Sequence, residues 1–227
     1  MPGLTDQAAG SRDPLHASIA AAHEAWQSSM TRRLGELHAL LEPRNRDHLA
    51  ALVGAAIEPD GLKLPYWGRE ILVAWPGLEV RWLDDGEPLS TFDQAMVFYY
   101  LDAADGTPLA DHWVGFRELP NGGFYNQAFQ GYSGDLLARR FGNKLEDLAA
   151  AAAQLEGQHL PELAPAAYAF QPLPRIRIGA ALWPGDEDFP ARASILFDEA
   201  CSHAMTTDGL ALLGSGLARR LIRAAEA

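Results

Sequence analysis

RIRIGAALW (175–183) and ARASILFD (191–198) are the stretches that decide the expected fold of this chain. Both are short and rich in β-branched and apolar residues, which is typical of strands. The connection 184–190 contains two prolines and a glycine, which favour a turn. Strands joined so closely pair antiparallel, because a parallel pair needs a crossover of a dozen or more residues.

A second strand pair is predicted by REILVAW (69–75) and LEVRW (78–82), with Pro76-Gly77 between them. WVGFREL (113–119) adds a further strand. Helices are predicted over residues 47–57, 90–104, 124–132, 135–141 and 145–155 and in a last segment with Leu210, Leu213, Leu217 and Leu221 on one face. Adjacent strand pairs with helices grouped around them indicate an α+β fold: a mainly antiparallel sheet packed against several helices. The Pro-rich stretch 161–174 is expected to be a loop.

A long N-terminal helix is predicted because apolar residues recur every three or four positions over residues 15–41, until Pro43 ends the pattern. This stripe either covers the chain's own core or pairs with a second copy in a homodimer. We therefore expect a disordered N-terminus at 1–12, a helical arm at 13–43 and a single α+β domain at 44–227.

Composition and charge exclude several classes of function. With 18 basic and 30 acidic residues the net charge is -12, so we expect neither nucleic acid nor an acidic membrane surface as a partner. The single cysteine, Cys201, excludes an internal disulfide and a thiolate zinc finger. The chain begins without a secretory signal pattern, and its apolar stretches are too short to cross a bilayer, so a cytoplasmic location is expected. Residues 79–111 (net charge -7) and 186–199 (net charge -4) together account for -11 of the net charge of -12, so a cation or a basic partner is expected to approach there.

Ten of the 21 aromatic residues lie within residues 92–132. An aromatic-lined cavity with a few polar groups is the usual form of a small-molecule site, and flat rings suit a planar ligand such as a tetrapyrrole. A bulky hydrophobic core produces the same pattern. The predicted ligand-binding residues are Tyr99, His112, Trp113, Phe116, Arg117 and Phe124.

Arg117 is the most specific of these residues. On a strand it points away from Phe116 and Glu118, so it either caps a buried carboxylate or binds an anionic group such as a propionate. Histidine is a usual axial ligand of haem iron, which makes His112, then His203 and His23, the candidate ligands of a haem or corrinoid.

An acidic turn, Asp186 to Asp188, separates the two strands of the first pair. Carboxylate oxygens bind hard cations, so Asp186 and Glu187, with His203, are candidate metal ligands of a metal-dependent enzyme. Alternatively, Asp186 caps the turn and Asp188 or Asp198 pairs with an arginine.

Cys201 and His203 would lie on one side of a strand, as a nucleophilic pair requires, but would be separated on a helix. A buried structural thiol is the alternative. The chain carries no phosphate-binding glycine loop, His-Glu-x-x-His or Gly-x-Ser-x-Gly motif.

Three segments resemble a known family: MVFYYLDAADG (96–106), PLADHWVGFRELPNGGFYNQAF (108–129) and LWPGDEDFPARASILFDEA (182–200). They are similar to the uncharacterised domain-of-unknown-function family 3786, over about residues 44–222. Some members join this domain to a cysteine-rich iron–sulfur module, so the resemblance implies an accessory role around metallocofactors such as corrinoids. This chain differs from those members in having one cysteine and an N-terminal helix in place of the module.

The leading hypothesis is a cytoplasmic small-molecule-binding or accessory protein without a catalytic residue. Its aromatic-lined pocket is expected between the 90–104 helix, the 113–119 strand and the helices that follow. A haem or corrinoid is the most concrete ligand. The alternatives are a metal-dependent enzyme that uses the acidic turn and an oligomeric scaffold built on the N-terminal helix.

Overall fold

The computed structural model describes residues 14–226, with side chains from residue 28 onward. The expected disorder of residues 1–12 lies outside the described residues. The helices are α1 (Pro14–Leu41), α2 (Arg46–Val53), α3 (Thr91–Ala103), α4 (Gly122–Gly131), α5 (Gly134–Phe141), α6 (Leu145–Gln154) and α7 (Thr207–Ala224). The strands are β1 (Ala56–Glu58), β2 (Gly61–Tyr66), β3 (Arg69–Ala74), β4 (Val80–Trp82), β5 (Trp113–Gly115), β6 (Gln158–His159), β7 (Ala166–Leu173), β8 (Ile176–Trp183) and β9 (Arg192–Asp198).

The strands form two antiparallel sheets, ordered β1-β2-β3-β4 and β5-β9-β8-β7-β6. Both predicted strand pairs are confirmed: Ile71 is opposite Trp82 in the first sheet, and Ile178 is opposite Phe197 in the second. The protein is therefore α+β, as the pairing of strands and the grouping of helices predict. The backbone N–H of Trp67, next to β2, donates to the carbonyl of Pro172 in β7 and so links the two sheets.

One cluster of buried side chains extends from the four-stranded sheet through α3 and α7 to one face of the five-stranded sheet. The other face of that sheet packs a smaller, alanine-rich cluster that includes Ala167, Ala169 and Ala181. Alternate residues of a strand point to opposite faces, so β5 places Val114 in the large cluster and Trp113 against the small one.

α1 packs along α3, with Met30, Leu37 and Leu41 buried in the large cluster. These contacts correspond to the self-packing alternative for that part of the apolar stripe, whereas the predicted side chains before residue 28 lie outside the described ones. A homodimer through this helix stays a prediction. No helix within residues 14–226 is both long and apolar enough to span a membrane.

Three boundaries predicted from the sequence were wrong. The 113–119 strand ends at Gly115 and continues as the 3-10 turn Phe116–Glu118, because the Glu118 carboxylate folds back to accept from the Gly115 N–H at 2.7 Å. The helix at 47–57 ends at Val53, where Gly54 takes the left-handed conformation that ends many helices.

The third correction concerns the predicted 161–174 loop, most of which is strand β7. Pro172 is compatible with this strand because the pairing register with β8 shifts between Phe170 and Leu173, and proline is tolerated at such irregularities.

Candidate functional site

A cleft of about 680 Å³ opens between α4 and the start of α7. This size is within the usual range for small-molecule sites. The residues that line it are Phe116, Pro120, Asn121, Tyr125, Ala128, Tyr132, Ser202, Thr206, Thr207, Asp208, Ala211 and Leu212. We call it the Asp208 cleft.

One wall of the Asp208 cleft is aromatic. Tyr125, Ala128 and Tyr132 face it together because residues three and four apart share one side of a helix. Tyr125 is 65% exposed and Tyr132 is 41% exposed. Phe116 supports the wall from below: it is buried and stacks on Phe129 with 4.1 Å between ring centroids. The wall therefore combines accessible rings with a rigid base.

The polar part of the lining comes from Asn121 before α4, from Ser202 in the 3-10 helix Glu199–His203 and from the first turn of α7. The hydroxyl of Thr207 donates to the Pro120 carbonyl at 2.7 Å, which ties this turn to the loop before α4. The side chains of Asn121, Ser202 and Thr206 have no hydrogen-bond partner in the part of the chain that the structure describes. Three polar groups beside aromatic rings are thus available to a bound molecule.

Asp208 is the acidic group of the cleft, and its orientation is set by Tyr99. The Tyr99 hydroxyl donates to Oδ2 of Asp208 at 3.3 Å and accepts from Nε of Arg33 at 3.1 Å. Partial burial raises the pKa of Tyr99, so its hydroxyl stays a donor. A second cleft, of about 320 Å³, begins on the Arg33 side and shares Asp208 and Leu212 with the first.

The structure brings only part of the predicted ligand-binding set together. Phe116 lines the Asp208 cleft, and Tyr99 contacts it through the Asp208 carboxylate. Phe124 is 88% exposed and is not part of the lining, although it lies next to Tyr125.

The other three predicted residues lie away from the cleft. His112 is exposed, with Nδ1 3.2 Å from Oε2 of Glu199. Trp113 packs against the small cluster, where the Arg177 guanidinium covers its ring at 5.1 Å. Arg117 is exposed on the 3-10 turn and not on a strand, so the alternative in which it caps a buried carboxylate was wrong, whereas its binding of an anionic group stays a prediction.

The candidate metal ligands Asp186, Glu187 and His203 do not converge. Oδ1 of Asp186 accepts from the N–H groups of Asp188 and Phe189 at 2.9 and 2.8 Å, so Asp186 caps the turn. His203 lies past the other end of β9, with Nδ1 2.9 Å from Oδ2 of Asp105. Within the described residues, no three or more His, Cys, Asp or Glu side chains form a group that could hold a metal ion.

Asp198 does not pair with an arginine. Its buried carboxylate accepts hydrogen bonds from the backbone N–H groups of Ala110, Asp111 and Ala200 at 2.8–2.9 Å. The loop before β5 is therefore held against the end of β9.

Cys201 is a buried structural thiol. It lies in a 3-10 helix, not a strand, and its Sγ donates to the carbonyl of Arg177 at 3.3 Å. Burial raises the pKa of the thiol to about 12. A thiolate is the reactive form of cysteine, so this geometry does not support nucleophilic pairing with the exposed His203.

We expect Cys201 to resist alkylation in the folded protein. Iodoacetamide at pH 8 should leave the native chain unlabelled by intact mass, and should label it fully in guanidinium chloride. The control is Ser202→Cys in a Cys201→Ala background, because position 202 lines the cleft and should react without denaturant. Equal labelling rates of the two folded proteins would contradict the assignment.

Comparison with known proteins relates this architecture to a family. A family model described as a domain of unknown function, DUF3786, matches residues 46–220. The chain belongs to this family. The DUF3786 match confirms the resemblance of the three sequence segments, begins after α1 and includes every residue of the Asp208 cleft. The chain has no significant match to a curated protein or to a solved structure.

The sequence reasoning did not select Asp208, Thr206, Tyr125 or Tyr132 as site residues. A signal for the polar wall existed, because Thr206-Thr207-Asp208 directly precedes the apolar pattern of the last helix, as residues at a helix start do. Nothing in the order of residues indicated that this helix start would face α4 across a cleft.

Proposed function

We propose that this protein binds a small planar organic molecule in the Asp208 cleft. The observation that carries the proposal is the pairing of exposed rings, Tyr125 and Tyr132, with polar side chains in the same cleft that have no hydrogen-bond partner among the described residues. Aromatic rings stack on flat ligands, and a few polar groups then fix their orientation. The cytoplasmic location expected from the sequence stays a prediction.

The charge at the cleft favours a ligand that presents hydrogen-bond donors or a positive charge. Tyr99 occupies Oδ2 of Asp208, whereas Oδ1 has no hydrogen-bond partner in the described residues. A carboxylate accepts hydrogen bonds only, so an amine or amidine is the complementary group. An anionic ligand would be repelled by the same oxygen.

The cleft fits a tetrapyrrole poorly. Its lining contains no histidine, cysteine or methionine that could ligate the central metal, and only the tyrosines Tyr125 and Tyr132 belong to a residue type that ligates haem iron. The candidate ligands His112 and His203 are both engaged with carboxylates elsewhere. A haem or corrinoid stays a prediction, and titration with haem and with cobalamin, followed by absorption spectroscopy, would test it.

Tryptamine and indole-3-acetate are probes that share one ring and carry opposite charges. By calorimetry we expect tryptamine to bind more tightly, because only its ammonium group complements Asp208. Asp208→Asn should lower the affinity for tryptamine about tenfold, as expected for the loss of a charge-assisted hydrogen bond. The affinity for indole-3-acetate should stay unchanged or increase. Tyr125→Ala should weaken both probes.

Phe189→Ala is the matched control, because Phe189 is also an exposed aromatic residue but lies in the acidic turn, away from the cleft. It should leave both affinities unchanged. The proposal would be contradicted if neither probe bound, or if Tyr125→Ala and Phe189→Ala changed the affinities equally.

A further inference from the structure

Another cleft, of about 510 Å³, lies where the last turns of α7 pass the start of α3. Its lining residues are Ser90, Phe92, Asp93, Gly216, Arg219, Arg220 and Arg223. Arg219 and Arg223 are four positions apart and so share one face of the helix. This arginine cleft is about 20 Å along α7 from Asp208, at a rise of about 1.5 Å per residue. It is separate from the proposed ligand site.

Arg220 is the one arginine of this cleft with an acidic partner among the described residues. Its Nη2 donates to Oδ1 of Asp93 at 2.9 Å, and its guanidinium lies over the Trp67 ring at 4.7 Å. Asp93 also accepts from the hydroxyls of Tyr66 at 2.7 Å and Ser90 at 2.6 Å. The single negative charge of this carboxylate is therefore already paired with Arg220 and does not also neutralise a second arginine.

Arg219 and Arg223 are left with uncompensated charge. Neither makes an ion pair with any described residue, and the Arg219 guanidinium lies over the Phe92 ring at 5.4 Å from its centroid. Partial burial, followed by the charges of Arg223 and Arg220, lowers the pKa of Arg219. A chain with a net charge of -12 thus has, in one concave site, two arginines without an acidic partner among the described residues.

We propose that the arginine cleft binds the phosphate group of a small phosphorylated molecule. Guanidinium groups present a planar fork of donors that matches phosphoryl oxygens, and two of them complement a multiply charged group better than a single carboxylate. The N-terminus of α3, capped by Ser90, adds its positive dipole end to the same cleft. The volume leaves room for a substituent on the phosphate.

Thermal unfolding of the full chain tests this proposal with sodium pyrophosphate as the probe, and with sodium chloride at matched ionic strength as the reference. We expect pyrophosphate to raise Tm in a concentration-dependent manner, because a ligand that binds only the folded state stabilises it. By calorimetry, Arg219→Gln and Arg223→Gln should each lower the affinity for pyrophosphate about tenfold, and the double variant should not bind it.

Arg192→Gln is the matched control. Arg192 is also exposed and lies over an aromatic ring, that of Trp183 at 4.4 Å, but is on β9 outside this cleft. Its substitution should leave pyrophosphate binding unchanged. The proposal would be overturned if pyrophosphate acted no differently from chloride, if the double variant bound it as well as wild type, or if succinate bound more tightly.

A solely structural role is also distinguishable, because Arg223 in the last turn of α7 interacts favourably with the helix dipole. That role alone would lower the Tm of Arg223→Gln equally with and without pyrophosphate, and this result would overturn the proposal. Failure of the phosphate proposal would leave the proposed function of the Asp208 cleft unaffected, since the two sites are tested with different probes.

Discussion

Replacement of Phe129 by alanine is expected to lower the free energy of unfolding by about 4 kcal/mol, within the range for large-to-small changes in a packed core. Phe129 is fully buried, and its ring stacks on Phe116 and packs against Phe197 and Tyr132. Alanine would remove the ring contacts that pack α4 against the five-stranded sheet, although Gln130 of α4 would still donate to the Ala193 carbonyl of β9. Chemical denaturation would measure the loss of free energy of unfolding. Thermal unfolding should show a fall in Tm of about 8–16 °C for a chain of this size.

Phe129→Leu is the conservative control and should cost less, because leucine fills more of the space. The alanine variant should also weaken tryptamine, since Phe116 and Tyr132 would lose the ring that supports them in the Asp208 cleft. A loss below about 1 kcal/mol would mean that α4 is not held by this ring cluster.

Asp198→Ala is expected to lower the free energy of unfolding by a similar amount, about 4 kcal/mol. The carboxylate is 1% exposed and accepts three backbone hydrogen bonds, including one from Asp111, which has a positive φ of 55°. Alanine would leave those N–H groups without an acceptor, at about 1–3 kcal/mol for each group that stays buried. It would also release the loop before β5. Denaturation curves would measure the change.

Asp186→Ala is a matched control because Asp186 also accepts two backbone N–H groups, but in an exposed turn where water can replace it. Its loss should be about 1 kcal/mol or less. Asp198→Asn, which keeps one acceptor oxygen, should be intermediate. If Asp186→Ala and Asp198→Ala lowered the free energy of unfolding by similar amounts, burial of the carboxylate would not explain the loss.

The sequence predicted the strand pairs well because their signals are local. Apolar runs separated by a proline–glycine break describe β3 and β4 and also β8 and β9, and the structure has both pairs antiparallel. The sequence predicted the 116–118 turn and strand β7 poorly. The turn depends on where the Glu118 side chain folds back, and β7 depends on a partner strand that accommodates Pro172.

The distribution of charge shows a similar limit. Residues 79–111 look like an acidic surface in the sequence, but several of their carboxylates pair with arginines from distant segments: Arg69 with Asp84 and Asp85, Arg44 with Asp102, Arg177 with Asp111, and Arg220 with Asp93. Conversely, two arginines, Arg219 and Arg223, have no acidic partner among the described residues, and the sequence reasoning expected no site there.

The sequence by itself determined the α+β class, the two antiparallel strand pairs, the family and the presence of crowded aromatic residues, because each depends on neighbouring residues or on a contiguous motif. Only the tertiary structure decided which aromatic rings became core and which line a cleft, and which charges are neutralised. Those outcomes depend on contacts between segments distant in the chain, such as Tyr99 with Asp208 and α4 with α7. Residue order alone carries little information about them.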